Sequence, residues 1–253
     1  MELIDTHVHL EDIKDLKSSI RRAIDVGVIA IIAVGSDYQS NYWILYESQK
    51  YQTEDLKIYS ALGLHPWSFN TTKINETLNF IERNINRAVA LGEVGLDYWY
   101  RDVRKNEEKK RLQREVFQKI LEIARKNSKP VSIHSRGAWI DCANMVIEAG
   151  VKKAVFHWFS GPPEVLKKII DYGYYISATP AATYSKEHRK AIMKAPLENI
   201  VLETDSPVVY AGEIAEPAHI IKALRAVAEI KDEKIEIIAE KTTENARRIF
   251  RIN

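Results

Sequence analysis

The chain has 253 residues, 45% of them hydrophobic, enough for a large buried core, and 37 Lys and Arg against 35 Asp and Glu leave a formal charge of +2. That near balance falls short of the strongly basic signature of a dedicated nucleic-acid binder, and the lone Cys142 excludes an internal disulfide framework and a thiolate zinc module. The longest wholly apolar or glycine run, 26–35, is about half of the roughly 20 residues that a membrane-crossing helix needs, so no span is expected.

In chain order, short β-branched or apolar runs alternate with longer stretches of helical apolar spacing. Strands are expected at 3–8, 28–34, 58–63, 88–92, 131–134, 154–157, 174–178 and 200–203. Helices are expected at 13–26, 40–51, 74–86, 106–127, 140–149, 163–172 and 186–193, with further ones at 218–230, 234–241 and 243–250. Stop signals agree: Lys129-Pro130 ends the fourth helix, and Gly150 and Gly173 follow the fifth and sixth. Acidic Glu2 and Asp5 precede His7 and His9 where a secretory signal would carry positive charge, so a mature, cytoplasmic protein is expected. Eight strand-plus-helix units in this length predict an α/β fold, a (β/α)₈ TIM barrel with extra C-terminal helices, forming one domain over 1–253.

In such a barrel the C-terminal strand ends share one rim, where loops carry the chemistry. Five of the seven histidines fall at predicted strand ends: His7 and His9 on the first, His65 on the third, His134 on the fifth and His157 on the sixth. Glu93, between Gly92 and Val94-Gly95, ends the fourth strand, and Glu203 and Asp205 end the eighth. Strand side chains alternate, so His7 and His9 project to one side and can share a cation. Nitrogen and oxygen donors without thiolate suit Zn²⁺, Mn²⁺ or Mg²⁺. Six ligands are too many for one catalytic ion. Two ions sharing Glu93 would use them, one with His7, His9 and Asp205, the other with His134 and His157. Glu203 and Asp5, each two residues before a ligand and facing the same way, are read as supports that orient ligand side chains.

The segments Asp5-Thr6-His7-Val8-His9, Gly63-Leu64-His65-Pro66, Gly92-Glu93-Val94-Gly95-Leu96-Asp97-Tyr98, Ile133-His134-Ser135-Arg136, His157-Trp158-Phe159-Ser160-Gly161 and Glu203-Thr204-Asp205-Ser206-Pro207 together resemble the TatD-like metal-dependent deoxyribonucleases. Their order, spacing and strand placement agree over nearly the whole chain, from residue 2 to the 245–250 tail. The resemblance implies an amidohydrolase-type TIM barrel with His7, His9, Glu93, His134, His157 and Asp205 as metal ligands. It also implies phosphodiester hydrolysis, with His65 and Arg136 near the substrate phosphate. His65 capping a loop, and Arg136 pairing with Asp97 or Glu93, are the structural alternatives. Two departures stand out: Ser135 replaces a common cysteine, and the short 208–215 segment, with no Arg or Lys, leads into Glu216-Pro217 without the usual asparagine.

The activity expected is attack on phosphorus by a water that two divalent ions activate, with Glu93 bridging, Arg136 neutralising charge, and Asp205 or His65 handling the proton. The substrate expected is DNA or a small phosphodiester, with no membrane and no obligate protein partner. An esterase, lactonase or aminoacyl-ester hydrolase is the enzymatic alternative, since the same site can attack carbonyl carbon. A non-catalytic nucleic-acid-binding barrel is the other alternative. The run Arg101, Arg104, Lys105, Lys109, Lys110, Arg111 and Arg114 is interrupted by Glu107, Glu108 and Glu115 and reads as a solvated face with ion pairs. Tyr98, Trp99 and Tyr100, with Trp67 and Trp158, are read either as base-stacking groups or as packing beneath loops.

Overall fold

The computed structural model describes residues 1–69 and 73–253. Its main sheet runs in sequence order from β1 to β8, all parallel: β1 Leu3–Val8, β2 Val28–Val34, β3 Lys57–Leu64, β4 Ala90–Gly95, β5 Val131–His134, β6 Ala154–Phe156, β7 Tyr175–Ala178 and β8 Ile200–Leu202. The ring is drawn together between β8 and β1, where the Asp205 amide donates to the His7 carbonyl (3.0 Å) and the His9 amide to the Ser206 carbonyl (2.9 Å). The connecting helices are α1 Leu16–Asp25, α2 Tyr38–Tyr46, α3 Ile74–Asn84, α4 Glu107–Lys126, α5 Trp139–Glu148, α6 Pro163–Asp171 and α7 Lys186–Lys194. After β8 come α8 Ile220–Lys231 and α9 Ile235–Phe250. This is the TIM barrel with extra C-terminal helices. Among the described residues no helix is long and apolar enough to cross a membrane.

Strand alternation divides the apolar core into two layers. One buried cluster joins Leu3, Ile31, Leu62 and Leu91 to helix residues such as Phe117, Ile120 and Leu121. The second joins the other strand faces, Ile4, Ile32, Val155 and Val201, to Ala246, Ile249 and Phe250 of α9. α9 sits at the N-terminal strand ends: Thr243 donates to the Glu2 carbonyl (2.9 Å), and Asn245 donates to the carbonyls of Leu197 (2.9 Å) and Ile200 (2.8 Å). The interior is therefore plugged at that end, and polar chemistry is left to the opposite rim.

Several boundaries differ from the sequence pattern for identifiable reasons. The first helix starts at Leu16, not at 13, because the Asp15 side chain caps it by accepting from the Ser18 amide. The stretch expected as one helix over 40–51 is α2 followed by a short 3₁₀ turn, Ser48–Tyr51. The two helices expected at 234–241 and 243–250 are the single α9, in which the Thr242 hydroxyl bonds back to the Ile238 carbonyl (2.8 Å) instead of breaking the helix. The 208–215 segment folds into a small antiparallel hairpin, β9 Val209–Tyr210 and β10 Glu213–Ile214.

Candidate metal centre

β4 continues past Gly92 to Gly95, so Glu93 lies inside the strand and not beyond its end. Its pairing with both neighbours is irregular here: Leu62 opposes Leu91 but Leu64 opposes Val94, and Val131 opposes Leu91 but Ile133 opposes Val94. The Glu93 amide leaves the ladder to donate to the Gly35 carbonyl at 2.9 Å. Gly63 permits this approach, because a Cβ there would collide with the Glu93 backbone and the Gly35 carbonyl. The carboxylate is thereby raised into the middle of the rim and is almost fully buried.

The two oxygens of Glu93 face two different pairs of imidazoles. Oε2 lies 3.4 Å from His7 Nε2 and 3.3 Å from His9 Nε2. Oε1 lies 2.8 Å from His134 Nδ1 and 3.0 Å from His157 Nε2. Asp205 Oδ1 stands on the first side, 3.7 Å from His7 Nε2 and 3.6 Å from His9 Nε2. Asp205 has a left-handed backbone, φ 51°, a conformation that non-glycine residues adopt at a cost of about 1 kcal/mol or more. All six residues named as ligands from the sequence thus converge on one centre.

Each histidine is tied by its outer nitrogen. His134 Nε2 bonds Asp97 Oδ2 at 2.9 Å, and His157 Nδ1 bonds Glu203 Oε1 at 3.2 Å. His7 Nδ1 lies 3.1 Å from Ser132 Oγ, and His9 Nδ1 lies 3.4 Å from Ser36 Oγ. These bonds leave His7 Nε2, His9 Nε2, His134 Nδ1 and His157 Nε2 facing inward, the arrangement found around metal-ligating histidines, where a bound cation displaces any proton the inner nitrogen carries. His7 Nε2 is buried without a hydrogen-bond partner, as is Glu203 Oε2. An orphaned buried nitrogen aimed at carboxylates, in a set of nitrogen and oxygen donors, fits a divalent cation. Among the described residues three groups have donor atoms close enough to hold an ion: His7, His9 and Glu93; His65, Glu93 and His134; and His7, His157 and Glu203.

The protonation pattern reflects this crowding. Burial would raise the Glu93 pKa, but the surrounding His65, His157 and His7 hold it well below the usual carboxylate range. Burial would lower His9, but its hydrogen bond to Glu93 and the charges of Glu93 and Asp205 lift it to about 9. The same contest, burial against Glu93 and Glu203, leaves His157 well above its ordinary value. Burial dominates at His65, which falls to about 4, and at Asp205, which is raised. His65 Nδ1 accepts from the Trp67 amide (3.1 Å), so the neutral ring carries its hydrogen on Nε2, which points toward Glu93 Oε1 at 3.4 Å.

Arg136 is tethered, its Nε 3.0 Å from Asp97 Oδ2, while its side chain remains 45% exposed in the cleft above the cage. Asp5 supports the barrel seam, not a ligand ring: its oxygens accept from the Thr204 amide (2.9 Å) and hydroxyl (2.6 Å). The basic run pairs along its helix, Lys110 with Glu107 at 2.7 Å and Arg111 with Glu115 at 3.6 Å. Asp97, named from the sequence only as a pairing partner for Arg136, does more than that. Its two oxygens accept from Trp67 Nε1, His134 and the amides of Trp99 and Tyr100, and Oδ2 forms an ion pair with Arg136. The signal available was its place four residues after Glu93, beyond the last glycine of the strand.

A (β/α)₈ barrel whose C-terminal rim gathers histidines and carboxylates around one bridging glutamate has the architecture of a metal-dependent hydrolase. The profile of the TatD related DNase family matches residues 4–251, and the chain belongs to that family. Deoxyribonuclease TATDN3 of Homo sapiens is 30% identical over 98% of this chain and 94% of its own length. The uncharacterized metal-dependent hydrolase YabD of Bacillus subtilis is 31% identical over 99% of this chain and 100% of its own. Among solved structures, YjjV, a TatD homologue from Escherichia coli K12, superposes with a TM-score of 0.86 at 26% identity, covering 99% of this chain and 98% of that one.

Proposed function

We propose that the protein is a metal-dependent phosphodiesterase, a deoxyribonuclease of the TatD type, whose cage binds two divalent cations. The observation that carries this reading is the division of Glu93, one oxygen toward His7 and His9 and the other toward His134 and His157. Asp205 completes the first set. Zn²⁺, Mn²⁺ or Mg²⁺ suit these donors. When bound, such cations lower the pKa of water and neutralise charge building on a phosphoryl group.

The chain's own residues supply the rest. Asp205, with a pKa that burial raises, accepts the proton of the attacking water at its free oxygen. His65, neutral across physiological pH, offers Nε2–H as a hydrogen-bond donor to the departing oxygen, and that oxygen takes up the proton that Asp205 received from the water. Arg136, fixed by Asp97 and reaching into the cleft, neutralises a non-bridging oxygen. DNA or a small phosphodiester is the substrate class, and the whole chain, 1–253, acts as one hydrolase domain.

Elemental analysis of protein purified without chelator tests the cage, with about two cations per chain expected. Glu93→Ala is expected to remove metal-dependent turnover of a nitrophenyl phosphodiester while circular dichroism stays that of the folded barrel. Parallel assays on a lactone and an aminoacyl ester check the bond attacked. Faster turnover of either than of the phosphodiester would overturn the nuclease reading.

A further inference from the structure

The inward face of α2 carries one residue that its packing does not call for. Asn41, Ile44, Leu45 and Ser48 fall at helical spacing and are all buried, and Asn41, wholly inaccessible, begins this stripe. A buried side-chain amide costs free energy unless its polar atoms are bonded, and a leucine would suit the stripe better. Both polar atoms of Asn41 are bonded, and to a single residue. Oδ1 accepts from the Gly63 amide at 2.8 Å, and Nδ2 donates to the Gly63 carbonyl at 2.6 Å. The side chain thus imitates the peptide of a neighbouring strand.

Gly63 is where β3 and β4 fall out of register. Leu62 opposes Leu91 and Leu64 opposes Val94, so Gly63 alone faces both Gly92 and Glu93. On the other side of β4, Ser132 alone faces the same two residues. β4 therefore carries one residue more than either neighbour, a bulge of the kind that re-aims a side chain. The bulged backbone reaches across Gly63 to the end of β2: the Glu93 amide donates to the Gly35 carbonyl (2.9 Å), and the Gly35 amide donates to the Gly92 carbonyl (3.1 Å). Asn41 meets this crossing a second time, since a Cβ on Gly35 would collide with its Oδ1. The start of α2 fixes the amide in turn. Ser40 Oγ accepts from the amides of Ser36 (2.8 Å) and Asp37 (2.9 Å), and Asp37 Oδ1 accepts from the Ser40 amide (2.8 Å).

We infer that Asn41 is a positioning residue for the metal centre: by occupying both backbone groups of Gly63 it preserves the bulge in β4 and so holds the Glu93 carboxylate between the two pairs of imidazoles. Fixing register is the best-attested role of a buried polar group. Without the amide, Gly63 must find its donor and acceptor in β4, and pairing there draws out the extra residue. A slip of one residue turns a strand side chain to the opposite face, which carries Glu93 away from the rim. The consequence for cation binding rests on the two-cation reading above; the register itself does not.

Two variants of the full chain test it. Asn41→Leu keeps the stripe apolar and removes both bonds, whereas Asn41→Asp keeps the acceptor for the Gly63 amide and sets an oxygen against its carbonyl. In EDTA, hydrogen exchange followed by NMR should be at least about tenfold faster at the Glu93 and Gly35 amides of both variants, relative to amides of β6 and β7. With Mn²⁺ added, the parent should take up a pair of ions coupled through Glu93, giving an exchange-coupled electron paramagnetic resonance spectrum. Both variants should bind Mn²⁺ about 10- to 100-fold more weakly, the loss common when a group supporting a ligand is removed, and show the spectrum of isolated ions. Asn245→Ala, destabilised at the opposite end of the barrel, is the control and should retain the parental Kd and spectrum. Should Asn41→Leu fail to fold, Asn41→Asp decides alone. Unchanged exchange at Glu93, or unchanged Mn²⁺ affinity and coupling, in a folded variant makes Asn41 a packing residue only and overturns the inference. A parent that binds no Mn²⁺ refutes the two-cation reading instead, and the exchange rates at Glu93 then decide for or against the positioning role.

Discussion

At the residue scale, two buried groups are set by opposite means. Burial would raise Asp97, yet the hydrogen bond and charge of His134 and the nearby Arg136 hold its pKa down, so it stays ionised and fixes the His134 tautomer. Asp97→Asn keeps the shape but removes the charge. Outer partners of metal-ligating histidines commonly carry about 10- to 100-fold of metal affinity, so a loss of that size is expected for the cation on the His134 side, read by calorimetric titration. His188 is the contrary case: burial drives its pKa to about 4, and its ring is locked neutral between the Phe159 carbonyl (2.8 Å) and the Thr179 amide (3.1 Å). The unfolded chain takes up this proton near 6.5 and the folded one only near 4, so stability is lost as pH falls between those values. At pH 5 the loss is about 2 kcal/mol relative to pH 7, and His188→Gln, which keeps a donor and an acceptor without titrating, should lack that component in urea unfolding. The six proposed ligands were legible in the sequence because each sits in the C-terminal part of a strand or just beyond it, where periodicity fixes direction. The wider role of Asp97 was not, since it lies in four hydrogen bonds, beside the Arg136 ion pair, brought together from separate loops and strands.

Elements carry the second lesson. Strand order and the alternation of strands with helices follow from β-branched runs and helical spacing, so the barrel could be read directly from the chain. What periodicity could not show was the irregular pairing around Glu93, because the Gly35 carbonyl that takes its amide comes from the β2 side of the sheet. Nor could it merge the last two expected helices, as Thr242 and Thr243 look like a break until their hydroxyls are seen bonded to the Ile238 and Glu2 carbonyls. α9 closes the barrel floor through Asn245, whose amide nitrogen serves the carbonyls of Leu197 and Ile200 while its own oxygen has no partner. Asn245→Ala strands two carbonyls at the start of β8, at a cost of about 1–3 kcal/mol. The unfolding midpoint in denaturant should drop accordingly, with metal content unchanged because the cage lies at the other end. Loss of bound metal at unchanged stability would show that the floor and the cage communicate by some other route.

For the whole molecule, the cage is a cross-link between opposite sides of the ring, since β1, β4, β5, β6 and the loop after β8 each bring a donor. A cation that binds this folded arrangement and not the unfolded chain stabilises by about 2.7 kcal/mol at 100 times its Kd, or roughly 5 to 10 °C in Tm for a chain of this size. Protons compete for the same nitrogens. With His9 lifted to about 9, the cation-free form keeps a proton there that uptake must displace, so affinity falls about tenfold for each unit of pH below that value. In chelator the sign reverses for this group: the stability from protonated His9 is fully present below 6.5 and fades as pH rises through 9. The shift in Tm on adding Mn²⁺ or Zn²⁺ should therefore be larger at pH 8 than at pH 6, and calorimetry in buffers of different ionisation enthalpy should record proton release. Glu93→Gln, which leaves both pairs of histidines without the shared charge, should flatten both responses. A cation-induced shift that is the same at both pH values, with no protons released, would mean that the ion binds elsewhere on the protein.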